Sequence, residues 1–180
     1  MLKRRNVQRG ILSATLLLAS LLLGACAAEQ PKRLGAPIEG YNHTSAAINR
    51  FSVNGNGGSN VGPNSGGGQT CCASLPVKWQ PGLTVLVEWE KDPNPMAARH
   101  LPPQSNWEAR RKAVEAHKSN YTKHRAIVEI APYEELGVVS VHFLPCNQVK
   151  IAAGTTRPRL ANHPYQYPLK MEEPSQCTNH

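Results

Sequence analysis

Three histidines and a cysteine are the side chains of this sequence best suited to metal binding or acid–base chemistry: His43, His124, His142 and Cys146. His142 and Cys146 lie four residues apart and can share one face of a strand if the intervening proline leaves that strand straight. His124 would then be a third ligand. This spacing matches no zinc motif, and Cys146 is also suited to a disulfide, so we predict structural roles and no bound metal.

His43 is a second kind of candidate, a lone general base between Asn42 and Thr44. Asparagine and threonine side chains commonly bond to nearby main chain in turns, so we predict a turn with His43 packed beside it. The sequence contains neither a Gly-x-Ser-x-Gly nucleophile elbow nor a His-Glu-x-x-His zinc helix. We therefore expect no catalytic residues, no enzyme activity and no cofactor.

The beginning of the chain has the composition of an export signal. Four basic residues precede an apolar run over residues 11–23, and the run ends in the segment Leu23-Gly24-Ala25-Cys26. The run is too short for a membrane span, and small residues before a cysteine resemble a bacterial lipobox. We predict a signal peptide over residues 1–25 and a lipid on Cys26, whose thiol is a good nucleophile for acylation.

Removal of the signal peptide lowers the formal net charge from +8 to +4. No dense basic stripe alternates with aromatic residues, so nucleic-acid binding is not expected. The four remaining cysteines, Cys71, Cys72, Cys146 and Cys177, suit disulfides in an oxidising compartment. Adjacent side chains point to opposite faces of an extended chain, which disfavours a Cys71–Cys72 bond. Three pairings stay open, and we favour one of these two meeting Cys146.

Periodicity defines the elements that must position these residues. Apolar residues alternate over 46–53, 84–90, 126–130 and 139–143, with a short piece at 149–151, which predicts strands. The loop between the third and fourth of these strands predicts an antiparallel hairpin. A capping-box spacing from Ser105 to Glu108 opens a helix to about Lys118, on which Trp107, Ala113 and Val114 share a face.

Three segments are predicted to lack regular structure. Residues 26–39 read as a tether, and the glycine-rich stretch 54–69 as a flexible surface loop, since it has no phosphate-binding motif. Residues 152–180 are proline-rich and read as an extended tail packed on the domain. Residues 40–151 then form one α+β, mainly β domain: a small antiparallel sheet of about four strands with one covering helix.

Three motifs resemble the domain-of-unknown-function 3304 family of proteobacterial lipoproteins: GYNHT at 40–44, CCxxLPxxWxPG at 71–82 and HFLPC at 142–146. The resemblance implies a small, mostly β lipoprotein of the cell envelope. It also implies an immunity protein that neutralises a phospholipase effector of type VI secretion. Lipoprotein sorting, likewise implied, favours the periplasmic face of the outer membrane because alanine follows Cys26. The alternative is a structural or accessory envelope lipoprotein without a toxin partner.

Overall fold

The computed structural model describes residues 31–177, and eight strands and one α-helix form within them. The strands are β1 (Arg33–Asn42), β2 (Ala47–Val53), β3 (Asn56–Gly58), β4 (Ser65–Pro76), β5 (Thr84–Asp92), β6 (Thr122–Glu129), β7 (Val139–Phe143) and β8 (Val149–Ala152), and the helix is α1 (Trp107–Lys118). The predicted signal peptide and Cys26 lie outside these residues.

The strands form two four-stranded sheets, in the orders β4-β1-β7-β8 and β3-β2-β5-β6. All ladders are antiparallel except that between β1 and β7. The mainly β class predicted from the sequence is confirmed. The strands are divided between two sheets, whereas the prediction placed about four of them in one.

Alternating apolar residues give the sheets their core faces. In β5, Val85, Val87 and Trp89 are buried while Thr84 and Glu88 are exposed, as the sequence pattern predicts. In the interior strand β7 all five residues are buried. Its valines and phenylalanine join the apolar core, and its other face carries His142, which contacts the aromatic rings of the C-terminal tail. A strand covered on both faces can therefore bury a polar residue at an alternate position.

Strand β1 corrects the predicted tether, because the last seven of residues 26–39 belong to the sheet. Of the inward-facing positions of β1 only Ile38 is a large apolar residue, and the others are Ala36, Gly40 and Asn42, so the alternation gives little apolar signal. Packing explains Gly40: a Cβ there would lie 2.6 Å from Val61 Cγ2 and 2.9 Å from Phe51 Cε1. The packing of the core therefore leaves no room for a side chain at residue 40.

The predicted hairpin between residues 126–130 and 139–143 is wrong. Strand β6 pairs with β5 in one sheet, and β7 pairs with β1 and β8 in the other. The intervening loop crosses between the sheets, since Ile130 N donates to Leu83 O and Ala131 N donates to Ile151 O. Alternation identifies each strand, but it carries no information on which neighbour supplies the hydrogen bonds.

Helix α1 does not cover a sheet, because none of its side chains is buried. Trp107, predicted to lie on a packed face, is 68% exposed. The side chain of Asn106, not Ser105, caps the helix by accepting from Ala109 N. Among residues 31–177, no helix has the length and apolar character needed to span a bilayer.

The other two segments predicted to be irregular differ in outcome. Residues 54–69 contain β3 and the start of β4, so much of the predicted loop is paired strand. The C-terminal tail has no helix or strand after Ala152 as far as Cys177, as predicted. It packs on the domain through Met171 N, which donates to His43 O at 2.7 Å.

Candidate functional site

Two of the histidines singled out in the sequence meet beneath the C-terminal tail. His43 directly follows β1, and His142 lies on β7, the parallel neighbour of β1. Their rings are nearly parallel, with centroids 5.2 Å apart, and lie edge to edge so that a ring nitrogen of each faces the other. The ring of Tyr41 is also nearly parallel to that of His142, with centroids 5.2 Å apart. The parallel β1–β7 register therefore builds a layer of rings, which we call the histidine cluster.

The tail supplies the remaining rings of the histidine cluster. His163 lies 5.3 Å from His142, and the stacked pair Tyr165 and Tyr167 meets His142 edge-on. The three histidines are 4% exposed or less. Because His163, Tyr165 and Tyr167 come from a segment with no apolar periodicity, their place beside His142 is a tertiary feature that sequence reasoning missed.

Hydrogen bonds determine the tautomers of this cluster. His43 Nδ1 lies 2.7 Å from the carbonyl of Pro168, and a carbonyl only accepts, so Nδ1 carries the proton. In the neutral ring, Nε2 of His43 then accepts from Nδ1 of His142 at 3.0 Å. His142 Nε2 is consequently unprotonated, and it is buried without a hydrogen-bond partner in the described part of the chain.

Burial keeps the rings of His43 and His142 neutral. It lowers the pKa of His142 to about 3, and the neighbouring His43 and His163 add to the effect because a second positive charge close by is unfavourable. Burial also lowers the pKa of His43, although its bond to the Pro168 carbonyl opposes the shift. The arrangement holds the tail against the first sheet through neutral hydrogen bonds and ring contacts.

The cysteines pair differently from the sequence prediction. Cys71 bonds to Cys72, with a cis peptide between them and their Cα atoms 3.1 Å apart, and Cys146 bonds to Cys177. The predicted bond between Cys146 and one of the adjacent cysteines is therefore wrong, because the prediction assumed a regular extended strand. The bond between Cys146 and Cys177 fastens the end of the tail to the domain.

The residues considered as a metal site do not come together. His142 is in the histidine cluster, Cys146 is in a disulfide, and His124 stacks on Trp89 in the second sheet. Within residues 31–177 one other group, Cys146, Glu173 and Cys177, has ligand atoms within 4.8 Å of one another. Its sulfurs are bonded to each other, and the Glu173 carboxylate accepts from Lys91 Nζ and Cys146 N. These contacts brace the end of the tail.

A groove separates β6 from β8, the edge strands of the two sheets. It has a volume of about 520 Å³ and is lined by residues 126–129, residues 146–150 and Cys177. At one end a parallel bridge joins Ile130 to Ile151. One of these lining residues, Ile127, is 77% exposed although its side chain is large and apolar. The groove depends on which strands end the sheets, so the sequence contained no signal for it.

Comparison with known proteins gives one match. The model of the family described as "Protein of unknown function (DUF3304)" matches residues 41–151, which include the end of β1, all of β2 to β7 and most of β8. No curated protein and no solved structure matches the chain. The family match covers more than half of the sequence and includes most of the three motifs noted above. The chain belongs to the DUF3304 family.

Proposed function

We propose that this protein is a lipid-tethered, non-catalytic immunity protein that binds and neutralises a phospholipase effector of type VI secretion. The observation that carries the proposal is the groove between β6 and β8. Free edge strands are usually short, charged or covered, because they invite pairing with other chains. Strand β6 carries such charges at Lys123, Arg125 and Glu129, yet it borders an open groove that is lined in part by Ile127, whose apolar side chain is 77% exposed. We take this groove as the binding surface.

The histidine cluster supports a binding role over a catalytic one. General acid–base catalysis requires a group that reaches the proton it transfers. His43, His142 and His163 are at most 4% exposed, and the first two are hydrogen-bonded in a chain that ends on a main-chain carbonyl. Buried and hydrogen-bonded in this way, the imidazoles of His43 and His142 are suited to holding the tail in place.

The proposed lipid on Cys26 explains why such a protein would act at a membrane. Only six residues separate Cys26 from Arg33, the first residue of β1. Six residues span at most about 20 Å, so the domain would stay close to the headgroups. A tether concentrates a binding protein where a phospholipase meets its substrate. The alanine after Cys26 favours the outer membrane, with the domain on its periplasmic face.

The test is co-expression of the full chain with a phospholipase effector encoded in the same secretion locus. We expect cells to survive periplasmic delivery of the effector, and the effector to co-purify with the chain from detergent-solubilised membranes. Cys26→Ser is the matched control: it should bind the effector in detergent but protect cells less well. If the wild-type chain neither protects nor co-purifies, the immunity function is wrong, and an accessory envelope role takes its place.

A further inference from the structure

We infer that residues 154–177 of the C-terminal tail form an acid-sensitive strap, which lifts from the first sheet when the histidine cluster takes up protons while the disulfide at its end stays closed. The two sheets keep their fold when the strap lifts. The inference goes beyond the proposed function and does not depend on the effector, because it concerns a movement within this chain.

The strap adds no side chain to the apolar core. Among the described residues, the buried apolar cluster has its last member at Ala153. Within residues 154–177, the one buried residue is His163, whose ring is polar and titratable. Lifting the strap therefore leaves the core of the two sheets closed, so the strap can open as a local unit.

Polar contacts hold the middle of the strap. His43 Nδ1 donates to Pro168 O at 2.7 Å, and Met171 N donates to His43 O at 2.7 Å. The ring of His163 lies against that of His142, with centroids 5.3 Å apart. The seat of the strap thus depends on three imidazole rings, and imidazole is the side chain that ordinarily gains a charge between neutral and mildly acidic pH.

The contact surface between the strap and the sheet leaves two buried atoms unsatisfied. His142 Nε2 and His163 Nε2 have no hydrogen-bond partner within residues 31–177. A buried polar atom without a partner carries a free-energy cost that water removes when the atom is exposed. A proton added to His142 Nε2 would create a charged donor that the closed strap does not satisfy. Because opening supplies water to both nitrogens, protonation favours the lifted state.

The surroundings of the histidine cluster do not compensate a positive charge on it. Within residues 31–177, none of the three histidines is hydrogen-bonded to a carboxylate. Burial lowers the pKa of His43 and of His142; Arg159 adds to the shift at His43, and the neighbouring imidazoles add to it at His142. The other charged and titratable groups around the cluster and its tyrosines are Glu39 and Tyr41 on β1, Glu129 on β6, Lys150 opposite His142 on β8, and Arg157, Tyr165 and Tyr167 on the strap.

The end of the strap is fastened by contacts that do not involve imidazole. Cys146 follows β7 and bonds to Cys177. The Glu173 carboxylate accepts from Lys91 Nζ and from Cys146 N. Acid should therefore free the middle of the strap and leave its end attached. The lifted strap uncovers the rings of the histidine cluster that belong to the first sheet.

Amide hydrogen exchange of the full chain in detergent, with the disulfides intact, tests the inference. Met171 N reports on the strap, because its bond to His43 O breaks when the strap lifts. Val87 N lies in the interior strand β5 and reports on unfolding of the sheets. Rates are corrected for the pH dependence of intrinsic exchange. Since His142 gains a proton on lifting, we expect the opening constant of Met171 to rise about 50- to 100-fold from pH 7 to pH 4.5.

Two further properties identify the opening as local. At pH 4.5 the opening constant of Met171 should exceed that of Val87 by at least about tenfold, and low concentrations of urea should leave it unchanged, because little surface is exposed. Equal opening constants for Met171 and Val87 would mean that the strap leaves only when the domain unfolds, which overturns the inference. A Met171 opening constant that is the same at pH 7 and pH 4.5 overturns it too.

His142→Asn is the matched variant, because asparagine keeps a donor near the place of Nδ1 and does not titrate. We expect the pH-dependent rise at Met171 to fall below about tenfold in this variant. A rise as large as that of the wild type would contradict the role of the histidine cluster. The wild-type measurements stand without the variant, and they leave the proposed binding of the effector to its own test.

Discussion

Acidification is expected to destabilise the fold through His142. The ring is 1% exposed, and burial lowers its pKa from the ordinary 6.5 to about 3. In the unfolded chain the same ring binds a proton below pH 6.5, whereas in the folded chain it stays neutral until about pH 3. The stability it contributes is therefore fully present above pH 6.5 and is lost as the pH falls from there towards 3.

The size of the effect follows from the interval between the two pKa values. A pH of 4.5 lies two units below the ordinary pKa of histidine. At this pH the ring of His142 is protonated in the unfolded chain and neutral in the folded chain. At about 1.4 kcal/mol per unit, His142 alone should remove about 3 kcal/mol from the free energy of unfolding between pH 7 and 4.5. That is a large part of the stability of a small domain. The lowered pKa of His43 acts in the same direction.

The assay is urea unfolding at pH 7 and pH 4.5 with the disulfides intact, on the wild-type chain and on His142→Asn. Asparagine keeps a donor near the place of Nδ1 but does not titrate, so carboxylate titrations that act on both proteins cancel in the comparison. We expect the wild type to lose about 3 kcal/mol more than the variant over this interval. If the free energies of unfolding that the two proteins lose between pH 7 and pH 4.5 agree within about 0.5 kcal/mol, the conclusion that His142 is buried and neutral is wrong.

Three further variants test the packing, the tail and the helix. Gly40→Ala should cost about 1–3 kcal/mol in urea unfolding, because its Cβ would enter the core, whereas Gly57→Ala, with no atom within 4 Å of its Cβ, should change little. Serine at both cysteines of the tail disulfide should cost about 3–4 kcal/mol, from the 31-residue separation that the bond closes, and should speed amide exchange in the tail. Asn106→Ala should cost about 1 kcal/mol in thermal unfolding, and an equal loss in Ser105→Ala would contradict the assigned helix cap.

The amino-acid sequence determined the local features of this protein. Apolar alternation predicted β2, β5, β7 and β8 close to their observed bounds, because the period of side chains along a strand is a property of the chain itself. The tail was recognised as irregular from its prolines. The export signal and the lipid on Cys26 also depend on local sequence, and they stay predictions because they lie outside the described residues.

Only the tertiary structure decided which strands are neighbours. Both the histidine cluster and the groove depend on this strand pairing. The pairing of β1 with β7 and the return of the tail bring His43, His142 and His163 together, although His43 and His163 are 120 residues apart. The division into two sheets leaves β6 and β8 as edges and creates the groove. Hydrogen bonds between strands use the main chain, which is the same in every residue except proline, so the sequence cannot mark its own partners locally.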